Sequence, residues 1–216
     1  LAEQACALIS REIAQRATGR TLGTLLRENI CGPLQIDFSI GLPDGEHARC
    51  AEIMRPNVPP DLGEMNEFKR AAFGTPWSQP NRGGAEWRRV ELPAANGHGT
   101  ARAVARLFTA YAESGLIESE RVVEPMAYAE LVARRIKGQD LVLPYEMDWA
   151  AGVMRNNNLA FGPNPESLGH FGWGGSMGFA DPQAGLSVGY VINKQSNALL
   201  GDVRAEKLIA AVYSCL

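Results

Sequence analysis

No cysteine pair in this sequence has C-x-x-C spacing, and no histidine stands at zinc-ligand distance from Cys6, Cys31, Cys50 or Cys215. The usual structural zinc patterns are therefore missing, and no metal is implied. Four scattered cysteines instead read as small buried hydrophobes in a reducing compartment such as the cytoplasm. Basic excess is also missing, since the net charge is −3. Nucleic-acid binders carry a basic face, and Arg11, Arg16 and Arg20 form no stripe because Glu12 and Gln15 interrupt them. No apolar run reaches the roughly 18 residues that a membrane span needs. The opening LAEQACALISRE lacks a basic start followed by an apolar block, so no secretory leader is read there. Repeats and low-complexity tracts are absent too. What is present is ordinary globular composition: 216 residues, 45% apolar and 21% charged. That fits one domain, or one domain with a small lobe, able to bury a core without staples.

Periodicity divides the chain. Residues 3–17 carry Ala7, Leu8, Ile9, Ile13 and Ala14 along a helical stripe, which Thr18-Gly19 stops. Thr21 reads as the N-cap of a second helix over 22–30, whose Leu22, Leu25, Leu26 and Ile30 share a face. Gly32-Pro33 breaks it, and a short extended run ends at Pro43. Residues 43–98 are punctuated by proline and glycine. Short helical pieces fit at 44–53 and 62–72, and the rest is irregular loop carrying Trp77 and Trp87. A loop this long usually covers or shapes a binding site, and the two tryptophans either line an acyl pocket or anchor the loop. A helix over 100–115 puts Val104, Leu107, Phe108 and Tyr111 on one face, with helical segments continuing over 118–136. The last third is β-like. Trp149–Met154 is a candidate strand, and His170–Asp181 and Leu186–Asn193 are extended runs joined by the turn Pro182-Gln183-Ala184-Gly185. An amphipathic helix over 200–215 closes the chain, and the whole predicts an α+β layer architecture.

Gly174-Gly175-Ser176-Met177-Gly178 spells G-x-S-x-G. That motif works as a nucleophile elbow only on a turn from a strand into a helix, with a histidine later in the chain. Here a proline-broken hairpin follows Ser176, and His47, His98 and His170 all precede it. The spelling misleads.

The run GHFGWGGSMGFADPQAGLSVGYVINK (169–194) resembles the third motif box and following hairpin of β-lactamase-like and penicillin-binding-protein-like serine hydrolases. In that family a K-T-G or H-x-G triplet lies on the strand lining the site, and here the triplet is His170-Phe171-Gly172. PAANGHGTARAVARLFTAYAESG (93–115) and REIAQRATGRTLGTLLRENICGPLQIDFSIGLP (11–43) resemble further segments of its class C-related carboxylesterase branch, in the right order. The resemblance implies an antiparallel sheet flanked by helices, with the N-terminal part of the fold absent. It divides the chain into a helix pair (1–42), a loop-rich site-covering region (43–98), helices (99–136), sheet strands (149–193) and a closing helix (200–215).

The resemblance also implies site roles. His170 takes the catalytic position where lactamases carry lysine, and the Trp173 backbone N–H supplies an oxyanion-hole donor. Phe171, where lactamases carry a hydroxyl, together with Gly172, Gly174, Gly175 and Asn193, would contact substrate, the glycines by letting it approach the backbone. From residue type alone, His170 could equally be a satisfied strand histidine, Trp173 packing, the glycines bulge devices, and Asn193 a turn residue. His98 reads as turn and cap chemistry. The implied substrate is a small ester or amide, with no cofactor. None of the ten serines has lysine three places later, so the family's S-x-x-K box is not in this chain. The implied nucleophile then belongs to a missing N-terminal fragment, as a parent protein or partner. The alternative is a non-catalytic scaffold or ligand-binding module on the same fold.

Overall fold

The structure, a computed structural model, describes residues 2–73 and 84–216, with the side chains of residues 2–8 outside the description. Trp77, and Ala7 and Leu8 as stripe residues, therefore lie outside the described residues. The chain forms two compact units, residues 1–53 with 64–100 and residues 54–63 with 101–216.

In the first unit, α1 (Ala2–Thr18) ends where Gly19 takes φ +72°. Thr21 caps α2 (Leu22–Leu26), its side chain accepting from the Thr24 N–H. The Glu91 carboxylate adds an anionic contact at this helix start, accepting from the Gly23 N–H at 3.0 Å. The predicted helix over 22–30 does not stay α-helical: Arg27–Cys31 widens into a π-turn before Gly32. A short β1 (Phe38–Ile40), a 3-10 turn (Asp44–Arg49), α3 (Glu67–Phe73) and α4 (Ala85–Arg89) follow. Trp87 lies on α4, and its backbone carbonyl accepts from Asn96 Nδ2 at 2.7 Å. His98 corrects its turn-and-cap assignment. It sits in β2 (Gly97–Gly99), paired with Ser39 of β1, and both flanking glycines are covered by the Phe38 ring. Burial, helped by Arg88, pushes the His98 imidazole below its ordinary value.

The second unit opens with α5 (Ala101–Ala112), whose apolar stripe is the one read from sequence. The expected helices over 118–136 are replaced in part by a hairpin, β3 (Leu116–Ile117) and β4 (Glu120–Arg121), before α6 (Pro125–Val132). Next come β5 (Ile136–Gln139), β6 (Glu146–Trp149), β7 (Met154–Arg155), β8 (Leu168–Phe171), β9 (Met177–Asp181), β10 (Leu186–Tyr190) and α7 (Val203–Tyr213). Strands β5 to β10 form one antiparallel sheet in the order β10-β9-β8-β7-β6-β5. The sheet therefore begins at Ile136 rather than Trp149, and the run read as one strand over Trp149–Met154 is the turn from β6 into β7, with Trp149 and Met154 paired across it. The extended run read over 170–181 is likewise two strands, because the chain reverses between Phe171 and Met177. The predicted 182–185 turn joins β9 to β10.

Helices cover both faces of this sheet. Ala205 and Ile209 of α7 pack with Phe161, Phe171, Met177 and Phe179. On the other face Leu168 packs with Phe108, Tyr111 and Val132. With a helix on each side, every residue of β9 is buried, so the strand shows no apolar-polar alternation. Helix α5 lies flat on β9 and β10 because Gly178 and Gly189 face each other in register. A Cβ on Gly189 would stand 2.2 Å from the Ala101 carbonyl oxygen, and one on Gly178 would meet the Phe108 ring. Gly189→Ala is therefore expected to cost about 1–3 kcal/mol by overpacking. Urea titration would show a lower midpoint at unchanged slope. Of the described cysteines only Cys31 is buried, while Cys50 is half-buried and Cys215, just past the end of α7, is exposed.

Candidate active site

The sequence-selected residues gather at one end of the sheet in the second unit. Phe171, Met177 and Tyr190 lie opposite one another across β8, β9 and β10. The triplet, the turn after it and the segment running on to Asn193 consequently share that end.

His170 pairs in register with Gly178, so it occupies the α5 side of β8. Its ring is 5.7 Å from that of Trp149, a neighbour that the sequence did not single out. Nδ1 lies 2.8 Å from the Phe171 carbonyl oxygen. A carbonyl only accepts, so Nδ1 carries the hydrogen in the neutral ring and the lone pair is on Nε2. That is the tautomer a base or hydrogen-bond acceptor on Nε2 requires.

Phe171 corrects its assignment as a substrate contact. Its side chain is 4% exposed and stacks on Phe161 at 4.8 Å. Side chains alternate along a strand, so a half-buried His170 on one face places Phe171 on the other, in the α7 core.

The turn from Gly172 to Ser176 is held by its own backbone. The Gly172 N–H donates to the Ser176 carbonyl at 2.7 Å, and the Gly175 N–H donates to the Gly172 carbonyl at 3.1 Å. A trans peptide is planar, with N–H and C=O pointing opposite ways. Anchoring the Gly172 carbonyl inside the turn directs the Trp173 N–H outward from it. The Gly174 N–H donates to Ala198 at 3.1 Å, and the Trp173 carbonyl accepts from Gln195 Nε2 at 3.3 Å.

The three glycines were expected to open the backbone to substrate, but the chain itself fills those spaces. A Cβ on Gly172 would meet Ser176 Oγ at 2.3 Å, one on Gly174 would meet Gln195 Cβ at 2.7 Å, and one on Gly175 would meet Asp202 Oδ2 at 2.8 Å. Gly174 and Gly175 also take φ of +91° and +119°, which side chains rarely tolerate. Ser176 leads into β9 rather than a helix, so it cannot be an elbow nucleophile. Asn193 is exposed, and its carbonyl accepts from the Met54 N–H at 2.7 Å.

Beneath the turn lies a group that sequence reasoning passed over. Asp202 caps α7 and is 4% exposed. Its Oδ1 accepts from the Arg204 N–H at 2.7 Å and from Arg204 Nε at 2.8 Å, and its Oδ2 accepts from Nη2 at 2.7 Å. The Arg204 hydrogen bonds, aided by Ser196, hold its carboxyl far below the usual range although burial opposes the charge. An aspartate before an amphipathic run signals a cap; nothing local signals the turn above it. Among the described residues no group of three or more His, Cys, Asp or Glu could hold a metal ion.

Comparison with known proteins gives concordant results. A family model described as Beta-lactamase matches residues 5–212. The esterase/beta-lactamase LipL of Mycobacterium tuberculosis (strain ATCC 25618 / H37Rv) is 30% identical over 209 residues, covering 87% of this chain and 46% of that protein. The crystal structure of a penicillin-binding protein homologue from Caulobacter crescentus superposes with a TM-score of 0.92 at 53% identity, covering 97% of this chain and 57% of that one. A family VIII carboxylesterase structure gives a TM-score of 0.85 at 34% identity, covering 96% and 56%. The chain thus spans about half the length of these relatives.

Proposed function

This chain belongs to the beta-lactamase family of serine hydrolases and carboxylesterases, and from that premise we propose that it supplies the oxyanion side of an acyl-transfer site. The carrying observation is the Gly172–Ser176 turn, whose anchored Gly172 carbonyl directs the Trp173 N–H away from the turn. A backbone N–H so fixed costs no reorganisation when negative charge develops on a carbonyl oxygen. A serine hydroxyl from a segment outside this chain attacks the carbonyl carbon, and the carbonyl oxygen becomes an oxyanion facing the Trp173 N–H. The departing alkoxide takes up the serine proton, and water then cleaves the acyl-serine. His170, its Nδ1 held by the Phe171 carbonyl, presents Nε2 to this site as the acid–base group.

Small uncharged esters fit better than β-lactams. With Phe171 turned into the core, the triplet offers no side-chain hydroxyl to a substrate carboxylate. The esterase and carboxylesterase names of the relatives support the same choice. A second reading, a non-catalytic scaffold, is favoured by one observation: no serine here is followed at the third place by lysine.

Covalent labelling separates the two. In the intact protein a fluorophosphonate probe is expected to label one serine outside this chain, and p-nitrophenyl acetate to turn over. Absence of both, with the protein folded, is the scaffold's result. Ser176→Ala keeps the backbone bond from the Gly172 N–H to the Ser176 carbonyl and is expected to leave fluorophosphonate labelling intact, since Ser176 leads into a strand and not a helix; loss of that labelling, with the variant folded, would restore the elbow reading.

A further inference from the structure

We propose that the Asp202–Arg204 pair is a positioning device that aims the Trp173 N–H, and not simply a cap on α7. The inference rests on the acyl-transfer reading above and names residues that serve the reaction without touching substrate.

Three connections carry it. First, the Asp202 carboxylate fills the space beside the Cα of Gly175, where even a Cβ would come within 2.8 Å of Oδ2. Gly175 is the residue whose N–H grips the Gly172 carbonyl at 3.1 Å. That carbonyl shares its peptide plane with the Trp173 N–H, so tilting one tilts the other. Second, Ser196 grips the Gly174 carbonyl through its N–H at 2.9 Å and its hydroxyl at 3.3 Å, on the 194–198 segment that Arg204 of the same pair also holds. Third, Arg204 ties Asp202 to the 194–198 segment that holds the turn, donating from Nη1 to the Lys194 carbonyl at 3.0 Å. Asp202 is thus the point where the helix start, the 194–198 segment and the glycine turn meet. A cap alone needs one acceptor for one N–H. Here both carboxylate oxygens are engaged, the side chain is 2% exposed, and its far side rests on Gly175.

The test uses the intact protein and two readouts. Asp202→Ala is expected to lower kcat for p-nitrophenyl acetate by about 10–100-fold, the scale of a donor misplaced by about an ångström, with KM little changed. With selective 15N-tryptophan labelling, the Trp173 amide is expected to lose order while those of Trp87 and Trp149 do not. Asp202→Asn keeps the volume against Gly175 and should fall between Asp202→Ala and wild type; it carries the same test if the alanine variant does not fold. Arg204→Lys, which cannot bridge both oxygens and the Lys194 carbonyl, should behave like Asp202→Asn. Lower thermal stability with kcat and the Trp173 amide unmoved would overturn the inference and leave Asp202 a plain cap. A wild-type protein without turnover or labelling would instead overturn the acyl-transfer reading, and the amide measurement alone would then decide the positioning role.

Discussion

Asp181→Ala is expected to destabilise the sheet unit by about 3–5 kcal/mol, the range for leaving buried polar partners without their charged acceptor. Asp181 is fully buried at the end of β9. Its Oδ1 accepts from the Gln183 and Ala184 N–H groups, each at 3.0 Å, which closes the turn into β10. Its Oδ2 accepts from Asn164 Nδ2 at 2.7 Å and from the Tyr213 hydroxyl near the end of α7. One carboxylate therefore joins the hairpin turn, the loop before β8 and the closing helix. Alanine would remove the acceptor these four donors share, leaving the Tyr213 hydroxyl to the Phe161 carbonyl at 3.3 Å. Against a typical total stability of about 5–15 kcal/mol this is a large share, and the melting temperature should fall by on the order of 10–20 °C.

The same residue sets an acid limb. Burial opposes its charge, but the Tyr213 hydroxyl, the Ala184 and Gln183 N–H groups and Asn164 outweigh that and hold its carboxyl below the ordinary value. A folded-state value below the unfolded one means the contribution is complete above about pH 4 and disappears as pH falls through the folded value. Wild type should lose stability there, and the alanine variant should lose less over the same window. A variant within about 1 kcal/mol of wild type in chemical denaturation would show that the network is not the fastener described.

His170→Ala in the intact protein should lower kcat by about 10²–10⁴-fold, the span for losing a positioned acid–base group. The ring is half-buried and held by the Phe171 carbonyl and the Trp149 ring, so its removal should cost little stability. His170→Lys is the informative companion. It puts a cation where an imidazole stood, and retention of activity above the alanine level would indicate that charge and hydrogen bonding at this position matter more than the ring itself. Turnover of His170→Ala within threefold of wild type would make His170 a packing residue of β8. Gly189→Ala bears on stability alone and calibrates how much overpacking the sheet unit tolerates before activity is read.

How much of this was legible in the residues varies by element. Helices α1, α5 and α7 are long enough for a 3.6-residue period to stand out, and the structure has helices there, although Ile9 and Ile13 of α1 and Val203 and Leu208 of α7, expected on apolar faces, are exposed. The hairpin around 182–185 was legible because aspartate-proline and a later glycine punctuate two apolar runs. Strands β5 and β6 were not, since four residues such as Ile136-Lys137-Gly138-Gln139 show too few periods to separate strand from helix or loop. The π-turn after α2 has no sequence signature at all.

The amino-acid order alone determined the family, the α+β class and the His170-Phe171-Gly172 triplet ahead of a hairpin, because these are local patterns and their succession along the chain. Tertiary structure alone decided which way each residue faces and what stands behind it. Phe171 turned into the core through strand alternation and the packing of α7. The glycines proved to be spaces filled by Ser176, Gln195 and Asp202, the last two about 20 to 27 residues away along the chain. Contacts between distant segments depend on register and packing, and no local period records them.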